Sequence, residues 1–142
     1  MISAIAIVVC TVFVILGGWH FYMAVAGHSG ESAAVPSRDG KPMFEPSKGA
    51  TIAVGIVLLL FAMLVACTSG MLVLGLPRRL LTWLSYALAL GLLARAVGDF
   101  RYVGFFKRVR RTRFARMDTL LYSPLCVLLS AGVATVAFHS SE

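Results

Sequence analysis

Gly49-Ala-Thr-Ile-Ala-Val-Gly-Ile-Val-Leu-Leu-Leu-Phe-Ala-Met-Leu-Val-Ala-Cys-Thr-Ser-Gly-Met-Leu-Val-Leu-Gly-Leu-Pro77 contains no Asp, Glu, Lys or Arg. A helix needs about 20 mostly apolar residues to cross ~30 Å of hydrocarbon, and this stretch is long enough. The same charges are missing from Met1 to Gly30, from Leu80 to Ala94 and from Thr119 to Ser141. Four spans follow, over about 3–24, 51–75, 79–98 and 121–139, the third running past Arg95 to reach full length. Helices are expected because backbone polar groups in lipid must be satisfied internally, and runs this long exceed a barrel strand.

Composition points the same way. Hydrophobic residues make up 59% of the 142-residue chain and charged residues 13%, against ~45–50% and ~25% in soluble domains. That deficit of charge leaves no coat for a soluble enzyme. The expected fold is therefore all-α: one integral membrane four-helix domain over 1–142, with connections at about 25–50 and 99–120. Ser47 and Gly49 open the second span, and Gly75, Leu76 and Pro77 imply a very short turn into the third. Ser123 before Pro124 is a candidate cap for the fourth. Ala24, Val25 and Ala26 form a cleavage-like A-x-A pattern. With no basic residue ahead of it, and with Trp19, His20 and Tyr22 beside it, the first run reads as a retained span.

Ten of the 13 Lys and Arg residues lie in the first and third connections: Arg38, Lys41, Lys48, Arg101, Lys107, Arg108, Arg110, Arg111, Arg113 and Arg116. Arg78 and Arg79 lie on the other side, and Arg95 lies inside a helix. Positive residues in short loops stay cytoplasmic, so both termini are expected on the non-cytoplasmic side. From Asp99 to Asp118 the net charge is +5 of the chain's +7. Basic residues interleaved with aromatics can mark a nucleic-acid surface. Directly beside two membrane helices they read instead as a surface for anionic lipid headgroups, carried by Arg101, Lys107, Arg108, Arg110, Arg111, Arg113 and Arg116. No nucleic-acid partner is expected.

The polar exceptions near the same membrane depth are the candidates for a site: His20, Tyr22, Arg95, Asp99 and Tyr122. Asp99 lies four residues after Arg95, on the same helical face. Two readings stay open. Arg95 snorkels to the interface with Asp99 as its neutralising partner, or these five residues wall a cytoplasm-facing pocket for a lipid or small amphiphile. In the second, the Arg fork would take an anionic or carbonyl group and His20 could titrate near neutrality. His28 and His139 are weaker candidates. Cys10, Cys67 and Cys126 sit in three different spans with no metal spacing, and read as small packing residues, although a Cys10–Cys67 disulfide stays open. Neither a metal nor a cofactor is called for. The Gly40-Lys-Pro-Met-Phe-Glu-Pro46 segment is expected to fold back as a lid.

Several of these stretches resemble one family. They are Trp19-His-Phe-Tyr22, the Gly40–Pro46 loop, Arg95-Ala-Val-Gly-Asp-Phe-Arg-Tyr-Val-Gly-Phe-Phe-Lys107, Thr112-Arg-Phe-Ala-Arg-Met-Asp118 and Leu121-Tyr-Ser-Pro-Leu-Cys126. The chain resembles the small four-span bacterial membrane family catalogued as domain of unknown function 3995. The resemblance implies a multi-pass protein of the bacterial inner membrane and implies no activity. Ligand binding is the leading expectation. An accessory subunit of a larger membrane complex, an intramembrane isomerase-like enzyme and a small dimeric transporter are the alternatives. The small residues Gly55, Ala87, Ala89 and Gly91 suit close helix approach, either within the bundle or in an oligomer.

Overall fold

An apolar run at membrane depth has no water for its N–H and C=O groups, and each of the four runs satisfies them as a helix. In the computed structural model these are α1 (Ile2–Ala26), α2 (Lys48–Thr68), α3 (Arg78–Val97) and α4 (Arg113–Ser141). All four are long and apolar enough to cross a membrane. The structure describes residues 1–27, 35–38, 41–43 and 45–141, without the side chains of residues 37, 38, 41 and 42. His28, and Gly40 and Phe44 of the expected lid, lie outside the described residues. In the first connection β1 (Ser37–Arg38) pairs antiparallel with β2 (Lys41–Pro42), Ser37 opposite Pro42, and Val35 beside them is buried.

Two boundaries depart from expectation. α2 stops at Thr68, not near residue 75, so the link to α3 is the non-helical segment Ser69–Pro77 rather than a tight turn. Gly70 and Gly75 both take positive φ there. Hydropathy reports the solvent a segment prefers, and it does not register a backbone that has left the helix. α4, in turn, begins at Arg113, well before residue 121. Its N-cap is Thr112, whose Oγ1 accepts the Ala115 N–H at 3.0 Å. Ser123 is not a cap, being fully buried inside the helix. Ser47 does cap α2, its Oγ accepting the Ala50 N–H at 3.1 Å.

α1 packs along α2, and α3 along α4. α1 also meets α4, and α2 meets α3 to a similar extent. The core is built from all four helices, with Phe13 and Val9 of α1, Val65 of α2, Leu88 of α3, and Val133 and Val136 of α4. Phe13 meets Phe61 edge-on, ring centres 5.8 Å apart. Hydroxyls and a thiol tie the helices where lipid offers no hydrophobic drive between them. Thr68 Oγ1 and Ser85 Oγ are 2.8 Å apart, Ser130 Oγ donates to the Ala89 carbonyl at 2.7 Å, and Cys10 Sγ to the Ala62 carbonyl at 3.3 Å. All three cysteines are free thiols.

The α1–α2 crossing depends on two glycines that face one another. A Cβ on Gly55 would sit 3.1 Å from the Gly17 carbonyl oxygen and 3.1 Å from the Phe21 ring, whereas a Cβ on Gly18 would meet nothing within 4 Å. Gly55 thus serves the bundle's interior. Gly55→Val should lower stability by ~1–3 kcal/mol through overpacking. Gly18→Ala should leave it unchanged or raise it, by up to ~1 kcal/mol from helix propensity. Thermal unfolding in detergent measures both.

Candidate functional site

Asp118 opens the one irregular turn of α4. The segment Asp118–Tyr122 is a π-turn, in which the Ser123 N–H donates to the Asp118 carbonyl. In an α-helix residues five apart point roughly 140° apart. The wider turn brings both side chains to the inner face, and Asp118 and Ser123 are each 0% exposed. The Asp118 carboxylate accepts three hydrogen bonds: from Arg95 Nη2 at 2.7 Å, Lys107 Nζ at 2.9 Å and the Gly104 N–H at 2.7 Å. Lys107 Nζ also donates to the Gly104 carbonyl at 2.8 Å and to Thr119 Oγ1 at 2.7 Å. Thr119 Oγ1 passes its own proton to the Ala115 carbonyl.

The backbone between α3 and Lys107 folds back on the helix end. Gly98 and Gly104 have φ of 92° and 87°. A Cβ on Gly98 would lie 1.8 Å from the Val103 oxygen, and one on Gly104 would lie 2.4 Å from the Val97 oxygen. Only glycine fits either position. The Phe105 N–H then reaches the Ala96 carbonyl at 2.9 Å, satisfying one of the last acceptors of α3. Asp99 holds the inside of this turn: its Oδ1 accepts from the N–H groups of Arg101, Tyr102 and Val103 at 2.7–2.9 Å.

The expected Arg95–Asp99 pair is therefore not formed. Arg95 reaches across to Asp118, and Asp99 serves backbone amides. Both Arg95 and Asp118 exert their charge on Tyr122 and Cys126, which lie beside them. His20 Nδ1 bonds to the Leu16 carbonyl at 2.7 Å, inside its own helix. Tyr22 is exposed and stacks against Trp19, ring centres 5.4 Å apart. Among the described residues no hydrogen bond, ion pair or ring contact joins His20 or Tyr22 to Arg95. Of the five candidates, the structure brings Arg95 and Tyr122 together around Asp118. Asp118 itself and Lys107, neither of them among the five, complete the cluster. The signal for Asp118 was available, since it and Asp99 are the only acids between Glu45 and Ser141.

Lys107 needs a correction of another kind. Read as one of the membrane-surface cations, it is 2% exposed and spent on Asp118. The other six, Arg101, Arg108, Arg110, Arg111, Arg113 and Arg116, are all exposed. Phe100 and Phe106 stand exposed among them, ring centres 6.4 Å apart, and the Arg101 guanidinium lies 5.3 Å from the Tyr102 ring centre. The arrangement is an outer layer of arginines and aromatic rings on a connection fastened from inside. Among the described residues no three His, Cys, Asp or Glu side chains gather as a metal site would.

Two outcomes follow from this geometry. Asp118→Asn should cost about 3–5 kcal/mol, because Lys107 would remain buried without its counter-charge. Combining it with Lys107→Gln should recover part of that loss, and a double-mutant cycle on detergent unfolding measures the coupling. Asp99 is held below the usual carboxylate range, chiefly by the Val103 N–H, with the N–H groups of Tyr102 and Arg101 adding to it and partial desolvation opposing. A carboxylate with a lowered folded-state pKa supports structure above its unfolded value of ~3.9, and that support disappears as pH falls through the folded value. Hydrogen-exchange protection of the Val103 amide should hold from neutral pH through ~3.9 and fail only at lower pH, where folded Asp99 takes up its proton. Asp99→Asn should remove this acid dependence.

The family model described as "Protein of unknown function (DUF3995)" matches residues 13–133. No curated protein and no solved structure matches the chain. The matched region reaches into all four apolar helices and contains the whole Arg95–Asp118 connection, and the chain belongs to the DUF3995 family.

Proposed function

We propose that this is a non-enzymatic multi-pass protein of the bacterial cytoplasmic membrane whose arginine-rich end binds anionic lipid headgroups. In this reading the basic connections lie in the cytoplasm and both termini on the opposite side. One observation carries it: six exposed arginines and the Phe100–Phe106 pair are mounted on a segment locked to the bundle by a fully buried carboxylate. Each Lys or Arg beside an anionic leaflet contributes on the order of 1 kcal/mol, and aromatic rings settle at the headgroup level. A segment already ordered loses less entropy when it takes up headgroups. Arg95 then acts as the inner support of the binding surface rather than as its contact.

The bundle gives less to the alternatives. Asp99 is committed to backbone amides, and His20, bonded through Nδ1 to its own helix, has no acidic or basic side chain paired with its ring among the described residues. The test compares native mass spectra of the protein released from nanodiscs of phosphatidylglycerol or phosphatidylcholine. Wild type should retain phosphatidylglycerol selectively. Changing Arg108, Arg110, Arg111 and Arg113 together to Gln should reduce that retention at least tenfold, since the lost contacts sum to several kcal/mol. Stability should hold, because these side chains are exposed. Undiminished retention in the quadruple variant would discard the reading.

A further inference from the structure

At the opposite end of the bundle, beside the helix termini, a cavity of about 560 Å³ opens between the Ser69–Pro77 link and the ends of α1, α3 and α4. Its polar lining includes Ser3, Ser69, Arg78, His139 and Ser140, and among the described residues no carboxylate lines it. Arg78 is exposed, and its Nε donates to the Ser140 carbonyl, which fixes the guanidinium plane and leaves its outer nitrogens without a partner among the described residues. His139 likewise uses only Nδ1, on the Thr135 carbonyl. The Arg78 charge and its free outer N–H groups suit an anionic head with further acceptor oxygens.

A second space begins where the first ends. The seam between α2 and α3 forms a trough of about 700 Å³, and the two spaces share Cys67, Leu74, Leu76 and Leu81. From there the trough continues between residues such as Leu60, Met63, Leu84, Ala87 and Gly91, with no charged residue in its lining among the described residues. From Leu81 to Leu92 it follows α3 for about 16 Å at 1.5 Å per residue. The link above it is apolar and open, with Leu72, Val73 and Leu74 all exposed, Val73 at 84%. Non-helical backbone at membrane depth is tolerated where it borders a cavity. A polar cavity carrying one Arg, continuous with an apolar trough in the membrane-facing seam, has the outline of a lipid.

We propose that this end binds one anionic lipid, its charged head on Arg78 and one acyl chain in the α2–α3 trough. The site is separate from the arginine-rich surface and does not depend on it. Both a phosphate-bearing glycerolipid and a free fatty acid carry the required chemistry, an anionic oxygen group on an acyl chain. The experiment reconstitutes the whole protein with phosphatidylglycerol or palmitate in phosphatidylcholine nanodiscs and counts the tightest-held adduct by native mass spectrometry. Arg78→Gln removes the head contact. Gly91→Leu fills the trough, and since a Cβ at Gly91 meets nothing within 4 Å, this variant folds.

Wild type should keep one adduct through detergent release, its mass telling glycerolipid from fatty acid. Each variant should weaken its retention at least tenfold, while the quadruple arginine change at the other end should leave it intact. Retention by Gly91→Leu equal to wild type overturns the proposal, even if Arg78→Gln loses the lipid, because the head alone would then be held. Loss of this adduct in the quadruple variant with retention in both others would also overturn it, and would assign the lipid to the arginine-rich end.

Discussion

A carboxylate wholly out of water must find its donors within the chain, because an uncompensated buried charge costs several kcal/mol. Asp118 draws its three from Arg95 at the end of α3 and from Gly104 and Lys107 in the connection that follows. The sequence Arg95–Asp118 is thereby closed into a loop at both ends. Everything else at this end depends on that closure. The two glycines let the backbone cross itself at Gly98 and Gly104, Asp99 fills the inside of the turn, and the remaining arginines are left facing outward. The net positive charge of the buried group, two cations on one anion, also leaves that end basic throughout.

The two ends of the bundle solve the same problem in opposite ways. At the arginine-rich end the buried Asp118 carboxylate is met by three donors from within the chain, with only Arg95 Nη1 and Ser123 Oγ left unpartnered among the buried side-chain polar atoms of the described residues, and the exposed arginines face outward. Toward the termini the link Ser69–Pro77 leaves apolar side chains uncovered, and the outer donors of Arg78 remain unspent among the described residues. Small hydroxyl contacts, Thr68 with Ser85 and Thr82 with Ser140, join the helices there. Such contacts average ~0.6 kcal/mol in membranes, weak beside a buried ion pair. Order at one end and access at the other follow from this difference in how the polar groups are met.

The four helices were legible in the sequence because hydropathy and charge spacing report directly on a lipid solvent. What misled was local backbone. The run through Leu74 is as apolar as a span, yet Gly70 and Gly75 take the chain out of the helix. The π-turn at Asp118–Tyr122 has no sequence signature at all, and it alone decides that Asp118 and Ser123 face inward together. Asp99 was paired with Arg95 on the strength of i, i+4 spacing, but α3 ends at Val97, so the helical spacing no longer applied. Lys107 could not be told from its arginine neighbours by composition, since its burial comes from a carboxylate eleven residues away.

Helix pairing explains why the seam between α2 and α3 is the open one. α1 and α2 are drawn together at Gly17 and Gly55, and α3 and α4 are tied by Ser130 to the Ala89 carbonyl and by Arg95 to Asp118. Each pair is closed on itself, and the two meet along α1 and α4, where a Cβ on Gly132 would fall 2.6 Å from a Val9 methyl, and to a similar extent along α2 and α3. On the α2–α3 side the Thr68–Ser85 contact ties the helices near one end, and the trough lies along the rest of the seam. In lipid, apolar side chains gain nothing by leaving the acyl chains for each other, so no hydrophobic force closes the remaining gap. An acyl chain lying in that seam would touch both helix pairs at once, and it would supply the packing that Ala87 and Gly91 are too small to make.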